Sequence, residues 1–188
     1  MHIFCTSIYI KSYEFGTKLF CSVKDLKNVG YFQKSNVIEF IDFFGKTIIE
    51  RIDPTIDECI KNEKYKCHAY INENNVGCIV VTDDEYPSKT AFKLTRVTLE
   101  EFTNNKIKME SLLKDLLTKY QKLQNVDHIQ SLNKELDNTK QILYKNFESL
   151  MKRGEQLDDL IKKSSELSTS SKMFYIKTKK MNSCCLII

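Results

Sequence analysis

Residues 150–160 read LMKRGEQLDDL and place Arg153 inside a heptad pattern of leucines. Leu150 and Leu157 lie seven residues apart, and Leu160 follows after three more, which is the 3-4 spacing of a coiled-coil seam. A cation in such a seam is costly unless acceptors satisfy it, and arginine presents five N–H donors that carbonyl oxygens of neighbouring helices can accept. The segment therefore predicts a coiled coil of several helices with a polar layer at Arg153.

The same spacing continues in both directions along the chain. A helix over 129–181 would form a rod of roughly 80 Å at 1.5 Å per residue. Two alternatives stay open at this point: a helix packed on its own domain, and an exposed arginine at a helix break beside Gly154. The apolar residues at the predicted layers are Ile129, Leu132, Leu136, Leu143, Leu150, Leu157, Leu160, Leu167, Phe174 and Met181.

The first half of the 188-residue chain has a different character. All glycines and prolines except Gly154 lie before residue 88, and the net charge changes from −2 over 1–102 (13 basic, 15 acidic) to +6 over 103–188 (16 basic, 10 acidic). Apolar patterning predicts strands and helices in alternation, so the fold class is α+β with a long helical segment after it. The predicted strands are 3–10, 18–23, 65–71 and 76–82, and the predicted helices are 36–52 and 88–102.

Composition excludes several protein classes. No window approaches the roughly 18 apolar residues of a membrane helix, and the N-terminus has no basic region or cleavage site of a secretion signal. Seven cysteines, an odd number, fit a reducing compartment and not a disulfide framework. We therefore expect a cytosolic protein, or one attached to a cytosolic membrane face.

Two motifs that suggest ligand binding fail on their spacing. Gly45-Lys46-Thr47 resembles part of a phosphate loop, but the glycine required five residues earlier is Phe40. Cys67, His68 and Cys78 lack paired zinc ligands, and no nucleophile–base–acid set is present. The basic C-terminal stretch has no nucleic-acid motif beside it. We predict no enzyme, no metal site, no nucleic-acid partner and no cofactor other than covalent lipids.

Six short motifs, in order along nearly the whole chain, resemble those of the prenyl-anchored longin R-SNAREs, the synaptobrevin-like family members without a membrane span. The resemblance implies an N-terminal longin (profilin-like) domain with an antiparallel sheet and flanking helices over 1–127, with a helical linker at 103–127. An R-SNARE coiled coil over 128–182 and a lipidation tail over 183–188 would follow. The motifs are FQKS at 32–35, CHAY at 67–70, DEYPS at 84–88, KRGEQLDDL at 152–160, KSSEL at 163–167 and NSCC at 182–185.

The family also implies a function and its partners. The helix would join three glutamine-bearing Q-SNARE helices in a four-helix bundle with Arg153 at the central layer, driving vesicle fusion, and a disassembly machinery would separate the bundle. The implied locations are the cytoplasm and the cytosolic faces of ER, Golgi, endosomal and vacuolar or autophagosomal membranes. A lipid-anchored longin adaptor that binds coats or tethers without fusing membranes is the alternative.

The C-terminus predicts the membrane anchor. Cys185-Leu186-Ile187-Ile188 has the form that a prenyltransferase recognises, with the prenyl group on Cys185. One lipid binds membranes only weakly, so a second signal is expected, and Cys184 is the candidate for a palmitoyl or second prenyl group. The membrane-proximal lysines, which attract anionic lipid, are Lys172, Lys177, Lys179 and Lys180.

Two kinds of control are predicted. Three small polar residues fall on seam positions: Ser164, Ser171 and Thr178. A phosphate there would carry roughly −1.5 to −2 charge, which cannot be buried in a coiled-coil core, so phosphorylation would block assembly. The alternative is that these residues only tune the stability of the coiled coil. A free SNARE helix would also expose its leucines. Phe43 of the first predicted helix is the candidate for an autoinhibitory contact, a role that the family resemblance implies, and ordinary core is the alternative.

Overall fold

The computed structural model describes residues 1–27, 29–61, 64–122 and 141–184, with only the backbone at 180–184. The chain forms two units, of which the first contains Met1–Asp25 and Gly45–Leu150, and the second Leu26–Phe44 and Met151–Ile188. The division does not follow chain order, because helix α1 (Lys34–Arg51) contributes residues to both. The predicted domain boundaries after 127 and 182 stay predictions, and the first lies outside the described residues.

The first unit is built on a six-stranded sheet with the order β2-β1-β5-β4-β3-β6. The four strands that patterning predicted are confirmed, each within two residues of its expected ends. All neighbours pair antiparallel except β3 and β6, which pair parallel. The strands are β1 (Ile3–Ser12), β2 (Gly16–Lys24), β3 (Glu58–Lys61), β4 (Tyr65–Ile71), β5 (Val76–Asp83) and β6 (Leu143–Asn146).

The two faces of this sheet bury different helices. Cys78 and Val80 of β5 belong to a buried cluster with residues of α2 (Ser88–Asn104) and α3 (Met109–Lys122). Gly77, one residue earlier and so on the opposite face, contacts Ile49 of α1. The central strands are therefore covered on both sides, which explains why β1 and β5 are apolar along most of their length.

Gly45 sits where α1 approaches β1 most closely. A Cβ at this position would lie 2.9 Å from Cζ of the Tyr9 ring, which leaves no room for a side chain. The glycine that resembled part of a phosphate loop is thus a packing residue inside a helix. Phe40, where a phosphate loop would require its first glycine, lies in the same helix.

Helix α3 lies in the segment expected to be a helical linker, and it is a full part of the first unit. Met109, Leu113, Leu117 and Tyr120 are spaced at three and four residues and are all buried. The Tyr86 hydroxyl donates a hydrogen bond to the Tyr120 carbonyl at 3.2 Å. The linker therefore docks through one apolar stripe.

The predicted antiparallel sheet is wrong in one respect, because the parallel pair β3–β6 makes the sheet mixed. Patterning missed both strands. They have four residues each, and β6 lies within the predicted rod, so neither offered a run long enough to show period-two alternation.

The segment after residue 141 is helical in part and is not one continuous rod in this structure. β6 and a 3-10 turn at Phe147–Leu150 precede α4 (Leu157–Lys163) and α5 (Thr169–Cys184). A lone heptad helix would expose its leucine stripe to water, and here Leu150 and Leu167 are instead buried within the same chain. Among the helices of the described residues, none is both long enough and apolar enough to span a bilayer.

Candidate functional site

An aromatic stripe on α1 is the centre of the second unit. Phe43 is 7% exposed and forms a buried cluster with Ile161 of α4 and Leu167, which lies between α4 and α5. Two predicted coiled-coil layer residues, Leu157 and Leu160, pack against this cluster, together with Phe40, Phe44 and Tyr175. Leu157, Leu160, Ile161 and Leu167 of the heptad segment thus pack against α1 in this conformation.

The rings of the stripe are arranged by helical spacing. Phe40 and Phe44, four residues apart, stack with their centroids 5.7 Å apart and an angle of 17° between their planes. Phe43 meets Phe44 edge-on at 5.4 Å. Phe40 also lies 6.4 Å from the Phe174 ring and 6.1 Å from the Tyr175 ring of α5. Phe43 therefore packs against Ile161 of α4, while Phe40 lies against the aromatic rings of α5.

Polar contacts fix the start of α5 on α1. The Ser168 backbone N–H donates to the Glu39 carboxylate at 2.8 Å, and this hydrogen bond holds the pKa of Glu39 below its ordinary value. A carboxylate beside a helix N-terminus is also favoured by the helix dipole. Ser170 and Ser171 both donate hydroxyl hydrogen bonds to the Asn36 side-chain oxygen at 3.1 Å. These contacts join the N-terminal end of α5 to residues 36–39 of α1.

A second polar group ties α4 to α5. The Lys179 ammonium lies 2.6 Å from one Asp158 carboxylate oxygen, and the Tyr175 hydroxyl donates to the other oxygen at 2.8 Å. Lys179 first, and then Tyr175, lower the pKa of Asp158. Lys179 is one of the predicted membrane-proximal cations, and here it has an intramolecular partner.

Arg153 lies in the turn that precedes α4, and its side chain is exposed. Gly154 has a φ of +80°, in the left-handed region that favours glycine. Lys152 and Glu155 close the turn, because the Lys152 N–H donates to the Glu155 carboxylate and the Glu155 N–H donates to the Lys152 carbonyl. The predicted central-layer residue is therefore at a break between helical segments in this conformation.

Residues 143–150 belong to the first unit. Leu143, a predicted layer residue, is 42% exposed on β6, and its N–H donates to the Asp57 carbonyl at 2.8 Å. The Lys145 ammonium lies 2.8 Å from a carboxylate oxygen of the fully buried Glu58. Leu150, another layer residue, is 7% exposed, and its carbonyl accepts a hydrogen bond from Arg51 at 3.0 Å.

The remaining predicted site residues have mixed positions. Ser171 is fully buried, whereas Ser164 and Thr178 are half-buried, and the Thr178 hydroxyl donates to the carbonyl of Tyr175. Met181 and Cys184 lie in the last turns of α5, and only the backbone is described at 180–184. Four predicted site residues lie outside the described residues: Ile129, Leu132, Leu136 and Cys185.

Cys59, Cys78 and His68 of the sheet are buried core residues, and Cys67 is half-buried. Burial raises the pKa of the Cys59 thiol to about 11 and raises those of Cys67 and Cys78 further, so the thiolate that a metal needs is disfavoured. His68 is fully buried, pairs with the Thr82 hydroxyl at 3.1 Å, and packs edge-on against Phe92. Within the described ranges, no three His, Cys, Asp or Glu side chains come together as a metal would require.

Comparison with known proteins gives the family. The family model described as Synaptobrevin matches residues 128–187, and the Longin model, described as a regulated-SNARE-like domain, matches 26–139. The Synaptobrevin homolog ykt6 of Schizosaccharomyces pombe is 39% identical over 180 residues, which cover 90% of this chain and 91% of that protein. The chain belongs to the longin-domain R-SNAREs of the Ykt6 type.

Other longin-domain R-SNAREs of the Ykt6 type match over the same length. The VAMP-like protein YKT61 of Arabidopsis thaliana is 39% identical over 178 residues, covering 89% of each chain. The Synaptobrevin homolog YKT6 of Saccharomyces cerevisiae is 37% identical over 180 residues, covering 88% of this chain and 90% of that protein. The family acts in vesicle trafficking by association with other SNARE helices, and its members are not enzymes.

Sequence reasoning missed several residues that build this R-SNARE's second unit. Ile161 is 1% exposed, yet it lies off the predicted seam. Its spacing of four residues from Leu157 was the available signal, since it widens the apolar stripe of α4 beyond the two seam positions. Asn36, Glu39 and Asp158 carried no local signal, because their partners are 135, 129 and 21 residues away, respectively.

Proposed function

We propose that this R-SNARE drives vesicle fusion by exchanging the folded form described above for one extended helix that pairs with three Q-SNARE helices. The observation that carries the proposal is the burial of heptad-segment side chains, Ile161 and Leu167 above all, against Phe43 of α1. In this proposal α1 acts as an autoinhibitory cover.

The two forms exclude each other. Leu157, Leu160 and Leu167 face α1 here, and the same side chains would face partner helices at the coiled-coil layers. Fully burying one such side chain stabilises a structure by about 1.5–3 kcal/mol. A leucine that packs against α1 cannot pack against partner helices at the same time, so each form loses the burial that stabilises the other. Residues 143–146 must also leave their strand pairing with β3 to become helical.

Arg153 is the proposed central layer of the bundle. In the folded form its turn leaves the guanidinium exposed, so the charge is not desolvated before partners arrive. In the bundle, carbonyl oxygens from the three partner helices would accept its hydrogen bonds and fix the register. The residue would thus act only in the assembled state.

The lipid-bearing C-terminus would connect assembly to the membrane. The proposed prenyl group on Cys185 and a second lipid on Cys184 hold the end of the helix at the cytosolic face of a membrane. Zippering from Ile129 towards Met181 would then pull two bilayers together, and a disassembly machinery would recycle the helices. The proposed routes are ER–Golgi, endosomal and vacuolar or autophagosomal traffic.

Affinity purification from detergent-solubilised membranes tests the proposal. We expect the tagged full chain to retain three glutamine-bearing SNARE helices in a detergent-resistant complex. Arg153→Asp should lose the complex, since an acidic charge would face the partner carbonyls, whereas the neighbouring exposed Lys152→Asp should keep it. If Arg153→Asp and Lys152→Asp retain the helices equally, the central-layer role is refuted.

The alternative is a lipid-anchored longin adaptor that binds coats or tethers. It is favoured by the core of the first unit, because the buried clusters that join the sheet to α2 and α3 are built from residues 3–120. The same purification decides between the two functions. Recovery of coat or tether subunits without SNARE helices would support the adaptor.

A further inference from the structure

The hairpin between β1 and β2 ends in a well-formed tight turn. Ser12 and Gly16 are paired across the strands, leaving a three-residue loop, and Gly16 has a φ of +70°. The Phe15 N–H donates to the Ser12 side-chain oxygen at 3.2 Å. A three-residue hairpin loop with glycine in the left-handed region is a standard geometry, and it is set by Ser12 and Gly16.

The side chains at the tip are not needed for that geometry. Tyr13 is 83% exposed and Phe15 is 74% exposed, although hairpin loops are usually polar. Because the turn is closed by backbone pairing, ordering these two aromatic side chains against a partner costs little additional backbone entropy. The tip therefore presents two large apolar groups on a rigid support.

Further exposed apolar and basic side chains lie next to the hairpin in the same unit. The Lys18 ammonium is 5.9 Å from the centre of the Phe15 ring. Phe20, 43% exposed, meets the Phe102 ring edge-on at 4.9 Å, and the Lys106 ammonium lies 5.4 Å from that same ring. We call Tyr13, Phe15, Phe20 and Ile107, with Lys18 and Lys106, the hairpin patch.

Ile107 extends the hairpin patch onto the short 3-10 turn before α3. It is fully exposed and stands between two lysines, Lys106 and Lys108. An isoleucine in that position stabilises nothing within the unit, since none of its surface is buried. The patch thus combines apolar tips with cations on long aliphatic stems.

We propose that the hairpin patch is a membrane-contact surface that places Tyr13 and Phe15 in the headgroup region of an anionic lipid bilayer. Aromatic rings with flanking lysines are what that region accommodates, because the lysine stems lie along the apolar layer while the ammonium groups reach the phosphates. A protein partner fits less well, since lysine is depleted in protein–protein interfaces. The chain also belongs to a family that works at membranes.

The contact is weak by itself and sensitive to charge. Glu14 sits at the tip between the two aromatic residues and opposes attraction to anionic lipid. Each lysine near the surface strengthens binding to anionic membranes about fivefold. Binding should therefore require anionic lipid, fall with salt, and increase in the Glu14→Gln variant.

A tryptophan reporter tests the proposal directly, since the chain contains no tryptophan. Phe15→Trp is introduced into the full chain carrying Cys184→Ser and Cys185→Ser, so that no lipid on these cysteines contributes. With vesicles containing phosphatidylserine we expect a blue shift of the emission and quenching by brominated lipid. The matched control, Phe32→Trp in the second unit, replaces an aromatic residue that is 92% exposed outside the patch and should show neither change.

Cosedimentation with the same vesicles measures the strength of the contact. Tyr13→Ser with Phe15→Ser should lower the partition coefficient at least about tenfold, and Lys106→Gln about fivefold, with the fold checked by circular dichroism. Equal emission for Phe15→Trp and Phe32→Trp overturns the proposal. Binding to a soluble acidic polypeptide but not to vesicles also overturns it, assigning the patch to a protein. SNARE complex formation in detergent should be unaffected by these variants, so the proposed function is tested separately.

Discussion

Arg153 and Gly154 belong to a turn in the folded form and to a helix in the proposed bundle. The left-handed conformation of Gly154 suits the first role, whereas glycine costs about 1 kcal/mol relative to alanine inside a helix. Arg153 is exposed in the turn and would be buried in the bundle. Changes at these residues can therefore separate the two forms.

Arg153→Leu should leave the folded form unchanged and alter only the complex. We expect the free energy of unfolding to stay within about 0.5 kcal/mol of wild type, as for other exposed sites. The complex should still form, because apolar packing replaces a costly buried cation, but its register and its disassembly should be impaired. The lifetime of the complex in a disassembly assay measures this. Turnover equal to that of Lys152→Leu would contradict the role.

His68 should make the first unit sensitive to mild acid. Burial lowers its pKa to about 3, from an ordinary value of 6.5. Below pH 6.5 the His68 side chain therefore binds a proton in the unfolded chain but not in the folded chain. The free energy of unfolding falls as the pH decreases from 6.5 towards the pKa of the folded state. At pH 5 the loss is roughly 2 kcal/mol. Urea unfolding at pH 7 and pH 5 measures it, and a His68→Gln variant with the wild-type pH slope would refute it.

Helix α1 illustrates what happens at the scale of whole elements, because its two ends serve different units. Its predicted stripe was confirmed as a helix, and Ile48 and Ile49 are buried in the first unit. Phe40, Phe43 and Phe44 instead pack against the heptad segment in the second. One amphipathic pattern thus has two different partners.

Phe43→Glu should release the heptad segment from α1. A carboxylate at a position that is 7% exposed, next to Ile161 and Leu167, must be desolvated without a partner. We expect faster hydrogen exchange over 157–179 and more membrane association, with the first unit still folded. Ile38→Glu, at a site on α1 that is 38% exposed, is the control. Equal protection in wild type and Phe43→Glu would show that this contact does not hold the segment.

Phosphorylation of Ser171 should act after opening and prevent return to the folded form. Ser171 is fully buried, with its hydroxyl on Asn36, so a kinase reaches it only when α5 has left α1. A phosphate there would meet the Glu39 carboxylate that lies against the same end of α5. Ser171→Asp should therefore increase exchange in α5 and impair bundle assembly. Exchange and assembly no different from those of Ser165→Asp, an exposed neighbour, would exclude a switch at this residue.

Patterning recovered those elements whose partners are close in sequence or whose runs are long. The strands β1, β2, β4 and β5 and the helices α1 and α2 each span seven or more residues, which is enough to show a period. The strand β6 could not be predicted, since it has four residues and its contacts with β3, such as the Lys145–Glu58 ion pair, join residues 87 positions apart in sequence. The heptad pattern indicates that the segment can pair with other helices. It does not indicate that the same residues form a strand and two shorter helices in this structure.

The proposed lipid sites of the molecule lie at its C-terminus, on Cys184, the last described residue, and on Cys185, which follows it. A lipid anchor acts only through the end of the heptad segment, and one chain alone binds reversibly. In the proposed function the two C-terminal lipids would therefore supply the stable part of membrane attachment.

Cys185→Ser should abolish stable membrane attachment, while Cys184→Ser should leave weak, exchangeable binding. One lipid alone would bind reversibly, and a second would convert this into stable binding. Fractionation of cells followed by salt and carbonate washes measures both. Tight membrane binding of Cys185→Ser would reject the anchor at this residue.

The cover that α1 places on Leu157, Leu160 and Leu167 would also limit the speed of pairing. Partner helices can engage these leucines only in molecules that have already opened, so the opening step lies before every productive encounter. As the concentration of partners rises, the observed assembly rate should approach a plateau equal to the opening rate constant of the chain. Loosening the cover would raise that plateau without changing the final affinity of any partner for the open helix, so that timing and strength would be adjustable by separate residues.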